Sequence, residues 1–209
     1  MSVRRLVNYP KRLISWVKRR ILKLPRVLSN EQKRAVIDQY RQEFACKNLV
    51  ETGTFMGDTV AFFENKMSII YSIELSPTLA QRAKKRFEQQ PHIHILEGDS
   101  SVVLKEIVPK LVEPTLFWLD GHFSSSFFWN DEFVETAKGK TNTPIEAELE
   151  ILLNSAIPSP TFVILIDDAR LFTGQNDYPS YQTIKQIVSK STSDYRIFMK
   201  KDIIHIIPT

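Results

Sequence analysis

From residue 47 onward the sequence alternates short β-branched and apolar runs with longer stretches whose apolar residues recur at helical spacing. The short runs predict seven strands, at residues 48–51, 69–74, 92–97, 115–120, 162–167, 195–199 and 203–207. The stretches between them predict helices at 58–65, 77–89, 101–111, 144–154 and 181–190. This alternation is typical of a parallel sheet with helices on both faces, so we predict a doubly wound α/β fold.

Two segments depart from the simple alternation. A short turn at 200–202 separates the last two predicted strands, which favours an antiparallel hairpin at the sheet edge. The segment 121–142 is long for a connection, and we predict no strand within it. Because it is rich in aromatic residues and follows a strand end, we favour a lid over a ligand rather than an insertion with its own core.

The N-terminal residues have a different pattern. Residues 1–30 contain nine Lys and Arg and no acid, and their apolar residues predict a basic amphipathic helix between Pro10 and Pro25. A second helix is expected over 30–45, capped by Ser29 or Asn30. We therefore predict an N-terminal helical appendage at 1–45 and one domain at 46–209. The basic helix leaves two roles open: peripheral membrane contact, and packing on the domain or on a second copy in a homo-oligomer.

Composition excludes several classes of protein. A single cysteine, Cys46, excludes a disulfide scaffold, no Cys/His cluster has zinc-site spacing, and a reducing, cytoplasmic setting is the simplest expectation. No apolar run approaches the roughly 20 residues of a membrane span, and we expect no signal peptide. Beyond residue 30 the chain has 19 basic against 24 acidic residues, so we expect no nucleic-acid partner.

Candidate chemistry lies at the ends of the predicted strands, because ligands of open parallel sheets bind beyond the carboxyl ends of the strands. After the first strand, Gly53 permits a tight turn and Gly57 permits close backbone approach. At the end of the second strand, Glu74 can accept hydrogen bonds from both hydroxyls of an adenosine ribose. After the third strand, Asp99 suits the adenine amino group, and Ser100 can also cap the next helix.

These motifs resemble those of class I S-adenosylmethionine-dependent methyltransferases. The matching residues are Glu51-Thr52-Gly53-Thr54-x-x-Gly57, Ile73-Glu74, Gly98-Asp99 and Leu119-Asp120-Gly121. The resemblance implies a Rossmann-like seven-stranded sheet with an antiparallel last strand. It also implies that S-adenosylmethionine binds at Glu51, Gly53, Gly57, Glu74, Asp99, Ser100 and Asp120. The glycine loop departs from the family pattern, because Phe55 and Met56 replace its third small residue.

Three carboxylates at neighbouring strand ends suggest a metal. Asp120 follows the fourth strand and Asp167-Asp168 follow the fifth, and oxygen ligands of this kind suit Mg²⁺. The arrangement resembles the metal-dependent O-methyltransferases of the catechol and macrolide-sugar types, which implies magnesium at these three positions. In the sugar-modifying branch a general base stands two residues beyond the first ligand, and here that position is His122. We therefore assign Asp120 and His122 as catalytic.

The sequence thus predicts methylation of a small polar acceptor such as a sugar, with O- and N-methylation both open. A nicotinamide-dependent oxidoreductase is the rival enzyme, although the Gly-x-Gly-x-x-Gly fingerprint is missing. The other rival is a non-catalytic module that docks through its N-terminal helix. Other polar residues are expected to have no role in the site: His92 and His94 as exposed strand residues, and Glu146, Glu148 and Glu150 as a solvated helix surface.

Overall fold

The computed structural model describes residues 27–123, 126–129, 132–139, 141–154, 162–191 and 193–209, with the backbone alone at 126–129 and 132–135. The basic helix predicted between residues 10 and 25 lies outside the described residues. Its two alternative roles therefore stay predictions, as does the domain boundary at residue 45.

The strands form one large sheet and one hairpin. Their bounds are β1 (Asn48–Thr52), β2 (Ile69–Glu74), β3 (Ile93–Glu97), β4 (Thr115–Leu119), β5 (Ser126–Trp129), β6 (Glu132–Glu135), β7 (Phe162–Ile166), β8 (Tyr195–Lys200) and β9 (Ile203–Pro208). Seven of them form a sheet in the order β3-β2-β1-β4-β7-β9-β8, and β9 is antiparallel to both of its neighbours. The predicted seven-stranded sheet with an antiparallel last strand and an edge hairpin is confirmed.

Helices cover both faces of this sheet. Their bounds are α1 (Asn30–Glu43), α2 (Asp58–Phe63), α3 (Pro77–Arg86), α4 (Ser100–Ile107), α5 (Ile145–Asn154) and α6 (Tyr181–Val188). Short 3₁₀ turns follow α4 and β7. Across the described ranges, no helix combines the length and the apolar character that crossing a bilayer requires.

Strand side chains alternate between two separate cores. Leu49, Leu116 and Val163 pack with α1, α2 and α3 on one face of the sheet. The residues that follow each of them, Val50, Phe117 and Ile164, pack with α4, α5 and α6 on the other face. Successive residues of a strand point to opposite faces, so a strand buried on both sides must be apolar throughout. The predicted doubly wound architecture follows from this pattern.

Helix α1 is part of one of these layers. Its side chains Val36, Ile37 and Tyr40 are buried in the first core, and Ser29 caps its first turn in a reciprocal arrangement with Gln32. Lys33 precedes Val36 by three residues and Ile37 by four, which places it on the same face of the helix. The packing of α1 therefore brings a charged side chain to the edge of the sheet.

The connection at 121–142 differs from the prediction. It contains an antiparallel two-stranded hairpin, in which Phe127 pairs with Val134 and Phe128 with Phe133. The sequence has a reason for this: two runs with aromatic residues flank Asn130-Asp131, and Asn and Asp are residue types that favour turns. The side chains of the two strands lie outside the described residues, so the lid stays a prediction.

We predict that Ile37→Ala lowers the free energy of unfolding by about 2–5 kcal/mol, because Ile37 is fully buried between α1 and the sheet. The measurement is urea denaturation followed by circular dichroism. Gln39→Ala, at an exposed position of the same helix, is the matched control and should change the value by less than about 0.5 kcal/mol. Equal stability of the two variants would contradict the packing of α1 on the sheet.

Candidate active site

A cleft of about 720 Å³ opens at the carboxyl ends of β1 to β4. Its wall is completed by α1, the start of α4 and residues on both sides of the β5–β6 hairpin. It brings together most of the residues that the sequence singled out: Gly53, Glu74, Asp99, Ser100, Asp120, His122 and Asp168. Glu51, Gly57 and Asp167 do not line this cleft.

The turn after β1 forms part of the floor. Gly53 has φ +88°, and a Cβ there would lie 2.6 Å from the carbonyl oxygen of Asp120. Only glycine therefore lets this turn lie against the end of β4. Gly57 also has positive φ, but a Cβ there would collide with the Phe87 ring at 2.8 Å. The structure thus assigns Gly57 to helix packing at the start of α2.

Glu74 is held rigidly at the end of β2. Its Oε2 accepts a hydrogen bond from the Phe55 backbone N–H at 2.8 Å, and its Oε1 accepts one from Ser76 N–H at 2.9 Å. Burial raises the pKa of Glu74, and these backbone hydrogen bonds oppose the rise. Both carboxylate oxygens keep further lone pairs, so the group can accept additional hydrogen bonds from a ligand.

Asp99 caps α4, whereas the sequence suggested that Ser100 could. Its Oδ1 accepts hydrogen bonds from Ser101 N–H at 2.9 Å and from Ser101 Oγ at 2.6 Å. Because both hydrogen bonds use Oδ1, Oδ2 is left to accept one from a ligand. Ser100 is the first residue of the helix and is buried at the cleft wall.

Glu51 lies behind the cleft. It is 3% exposed, accepts a hydrogen bond from Ser72 Oγ at 2.7 Å and lines a smaller neighbouring cavity of about 80 Å³. Burial raises the pKa of Glu51 to about 8, although the Ser72 and Thr59 hydroxyls oppose the rise. Its position suits support of the glycine turn better than direct ligand contact.

Asp120, His122 and Asp168, which also line the cleft, form a chain of contacts. His122 Nδ1 lies 3.1 Å from Asp120 Oδ1, and His122 Nε2 lies 3.6 Å from Asp168 Oδ2. Burial lowers the pKa of His122, but the hydrogen bond to Asp120 and the negative charges nearby outweigh it, so the net shift is upward. The imidazole is therefore oriented by Asp120 and is a stronger base than a free histidine.

Two basic residues that the sequence analysis did not single out join this group. Lys33 Nζ makes a salt bridge with Asp167 and lies 3.6 Å from Asp168 Oδ1. Arg170 donates a hydrogen bond to Asp168 Oδ1 at 2.7 Å. Asp167 is almost fully buried, and burial together with repulsion from Asp120 raises its pKa despite the attraction of Lys33. The carboxylates are thus already paired with cations of the chain itself.

The predicted magnesium does not fit this donor set as it is arranged. Lys33 and Arg170 both contact Asp168 Oδ1, and Lys33 also holds Asp167. Within the described part of the chain, no group of three or more His, Cys, Asp and Glu residues has the geometry of a metal site. A divalent cation among these carboxylates would lie next to a lysine ammonium and be repelled by it.

Glu148 corrects the expectation of a solvated surface on α5. It is 1% exposed, and burial raises its pKa to about 7, with the Ser100 and Thr52 hydroxyls opposing the rise. A Cβ added at Gly121 would lie 3.5 Å from Glu148 Oε1, so the carboxyl lies directly beneath the cleft floor. The sequence carried a signal for this burial, since Glu148 shares a helix face with the apolar residues Ile145 and Leu152.

The remaining histidines have structural contacts. His92 precedes β3 and is half-buried, with Nε2 2.8 Å from the Glu64 carbonyl oxygen, and half-buried His94 stacks on Tyr71 at 5.0 Å. Both differ from the exposed strand residues that were predicted. His205 is buried and stacks on Phe198 at 4.8 Å between ring centroids. None of the three lines the cleft.

We predict that Glu148→Gln removes part of the decrease in unfolding free energy that the wild type undergoes as pH rises. The folded-state pKa of about 7 exceeds the ordinary value of 4.5, so the contribution of Glu148 is most favourable below pH 4.5 and is lost as pH rises through 7. Between pH 5 and 8 the wild type should lose about 2–3 kcal/mol more unfolding free energy than Glu148→Gln. The measurement is urea denaturation at both pH values.

Glu150→Gln is the matched control, because Glu150 is exposed on the same helix. It should retain the pH dependence of the wild type. If both variants have the same pH dependence, the burial of a titrating Glu148 is wrong.

The comparisons with known proteins rest on structure alone. No protein-family model and no curated protein matches the sequence. Among solved structures, an O-methyltransferase from Bacillus cereus in complex with SAH (S-adenosylhomocysteine) is 15% identical, with a TM-score of 0.58 over 98% of this chain and 93% of that chain.

Two further structures give similar values. SAH-bound PaMTH1, a Podospora anserina methyltransferase, has a TM-score of 0.59 at 12% identity over 99% of this chain and 100% of that one. The third structure is the O-methyltransferase TomG from Streptomyces achromogenes, which is involved in tomaymycin synthesis and is in complex with SAM (S-adenosylmethionine). Its TM-score is 0.56 at 14% identity, over 98% of this chain and 92% of that one. At these identities the likeness concerns the fold, and the chain has the Rossmann-like fold of class I methyltransferases.

Proposed function

We propose that this protein is an S-adenosylmethionine-dependent methyltransferase that methylates a hydroxyl group of a small polar acceptor such as a sugar. One observation carries the proposal: a single cleft is lined by the Gly53 turn, Glu74 and Asp99, which we assign to the cofactor end, and by the Asp120–His122 pair, which we assign to the acceptor end. Its volume of about 720 Å³ falls in the range of small-molecule sites and suits a nucleoside cofactor together with a small acceptor.

The cofactor end offers acceptors for the groups that a nucleoside presents. Glu74 is fixed by two backbone N–H groups and can accept hydrogen bonds from both ribose hydroxyls. Asp99 uses Oδ1 to cap α4, which leaves Oδ2 for the adenine amino group. Gly53 lets the backbone lie close to the methionine part. Ser100 completes the wall, while Glu51 and Gly57 support the loop from behind.

The acceptor end offers a base. When bound, S-adenosylmethionine supplies a methyl group on a positively charged sulfur. His122 Nε2 would take the proton of the acceptor hydroxyl as the oxygen forms its bond to the methyl carbon and the carbon–sulfur bond breaks. Asp120 accepts a hydrogen bond from Nδ1, fixes the ring orientation and stabilises the imidazolium that forms. The cleft would hold the cofactor and the acceptor side by side, which lowers the entropic cost of bringing them together.

Similarity to solved structures supports the methyl donor. Two of the three similar structures are O-methyltransferases, and all three hold SAM or SAH. The sugar acceptor and the choice of oxygen over nitrogen are proposals that rest on the Asp120–His122 pair and on the sequence resemblance.

We predict that the wild type binds S-adenosylhomocysteine, measured by isothermal titration calorimetry, and that Glu74→Gln weakens this binding about 10- to 100-fold. The reason is the loss of a charged acceptor, since hydrogen bonds to charged groups contribute about 1.5–3 kcal/mol. Glu97→Gln is the matched control, because Glu97 pairs in register with Glu74 but lies outside the cleft. Its affinity should equal that of the wild type.

The same titration tests the rival enzyme. NADH should not bind at concentrations that saturate S-adenosylhomocysteine binding. If the wild type binds NADH and does not bind S-adenosylhomocysteine, the methyltransferase proposal is wrong.

We predict that His122→Gln lowers methyl transfer by about 10²- to 10⁴-fold, because the general base is removed. The assay follows a labelled methyl group from S-adenosylmethionine to a panel of sugars, phenols and amines. S-adenosylhomocysteine affinity should stay within about twofold, because His122 lies at the acceptor end of the cleft. His94→Gln, away from the cleft, should be as active as the wild type. Equal activity of His122→Gln and the wild type would exclude His122 as the base.

A further inference from the structure

We propose that the ammonium group of Lys33 occupies the position in the carboxylate cluster at the acceptor end where a related enzyme would bind a divalent metal. The cluster consists of Asp120, Asp167 and Asp168. Helix α1 thereby contributes a positioning residue to the acceptor end of the cleft. The role of Lys33 toward the acceptor rests on the proposed function, whereas the pairing of Lys33 with the carboxylates does not.

The contacts of Lys33 carry the proposal. Its Nζ makes a salt bridge with Asp167 Oδ2 and lies 3.6 Å from Asp168 Oδ1. The side chain is 17% exposed, so much of its stem is shielded from water. Lys33 lines both the main cleft and the smaller cavity behind it, and Asp120 lines both as well. The ammonium therefore lies among carboxylates from two different strand ends.

The position of Lys33 is built into the fold. Val36 and Ile37, three and four residues further along α1, are buried in the core, and the capping box at Ser29 fixes the first turn. A flexible lysine at the surface would lose side-chain entropy for little gain in such a pair. Here the capping box before Lys33 and the buried residues after it hold α1 in place. The partner of Lys33, Asp167, has almost no exposed side-chain surface.

Arg170 fills a further side of the cluster. It donates to Asp168 Oδ1 at 2.7 Å and makes a second salt bridge with Asp202. The oxygen that Lys33 approaches is therefore shared with a second cation. Two fixed positive charges thus oppose the three carboxylates of the cluster and Asp202, and a divalent ion would add two more positive charges beside Lys33 and Arg170. Like charges at such distances repel strongly in a partly buried site.

An ammonium can serve an acceptor oxygen directly. Lys33 has three N–H donors, and its hydrogen bond to Asp167 occupies one of them. Another would donate to the acceptor hydroxyl oxygen in the cleft, which orients that oxygen and stabilises the negative charge that develops as its proton leaves. This is the work that a metal ion does in a metal-dependent methyltransferase.

The test is a titration with Mn²⁺, used as a probe of divalent binding, by calorimetry and electron paramagnetic resonance at pH 8. The wild type should bind Mn²⁺ only weakly, with a Kd of about 1 mM or higher. Lys33→Met should bind it on the order of tenfold more tightly or better, because the carboxylates lose their ammonium. Adding Asp168→Asn to that variant should remove the gain. Lys190→Met, at an exposed lysine, is the matched control and should behave as the wild type.

Two results would overturn the proposal. The first is that the wild type binds Mn²⁺ with a micromolar Kd and that Asp168→Asn abolishes this binding. The other is a folded Lys33→Met that binds Mn²⁺ no better than the wild type. Circular dichroism checks the fold, and Lys33→Gln replaces Lys33→Met if the latter does not fold. Lys33→Arg keeps the charge and should bind Mn²⁺ as weakly as the wild type.

The result of the Mn²⁺ titration can be distinguished from a failure of the proposed function. S-adenosylhomocysteine binding, measured on the same samples, should be within about twofold of the wild type in Lys33→Met, because Glu74 and Asp99 are unchanged. If no sample binds S-adenosylhomocysteine, the methyltransferase proposal fails, while the Mn²⁺ titration still decides the role of Lys33.

Discussion

Buried carboxylates at the ends of parallel strands are the constraint on which this site depends. Asp167 and Glu148 have almost no exposed surface, and burying an ionised carboxylate without a partner costs several kcal/mol. The fold meets this cost in two ways. Lys33 and Arg170 pair with the carboxylates of the acceptor end. Glu148, which pairs with no cation among the described residues, has a pKa raised to about 7.

This requirement explains why α1 matters to the site. Its apolar face belongs to the core formed with α2 and α3, while Lys33 reaches the strand ends from the same face of the helix. Stability and chemistry are therefore coupled, because the packing that buries Ile37 also positions the ammonium. A change that loosens α1 would expose the core and leave Asp167 without its cation.

Much of the cofactor end was predictable from the sequence, because its residues directly follow strands. Gly53, Glu74 and Asp99 line one cleft because parallel strands end at the same edge. The sequence could not distinguish the role of Gly53 from that of Gly57. Both have positive φ, but Gly53 lies against the backbone of Asp120, whereas Gly57 lies against the ring of Phe87. Glu148 was misjudged although its helical spacing placed it among apolar residues.

The sequence by itself determined the order of strands and helices, the two-sided core and the acids at the strand ends. These follow from periodicities of two and 3.6 residues, which are local properties of the chain. Only the tertiary structure decided which charges meet. Lys33 and Asp167 are 134 residues apart, and their contact depends on how α1 packs across the sheet.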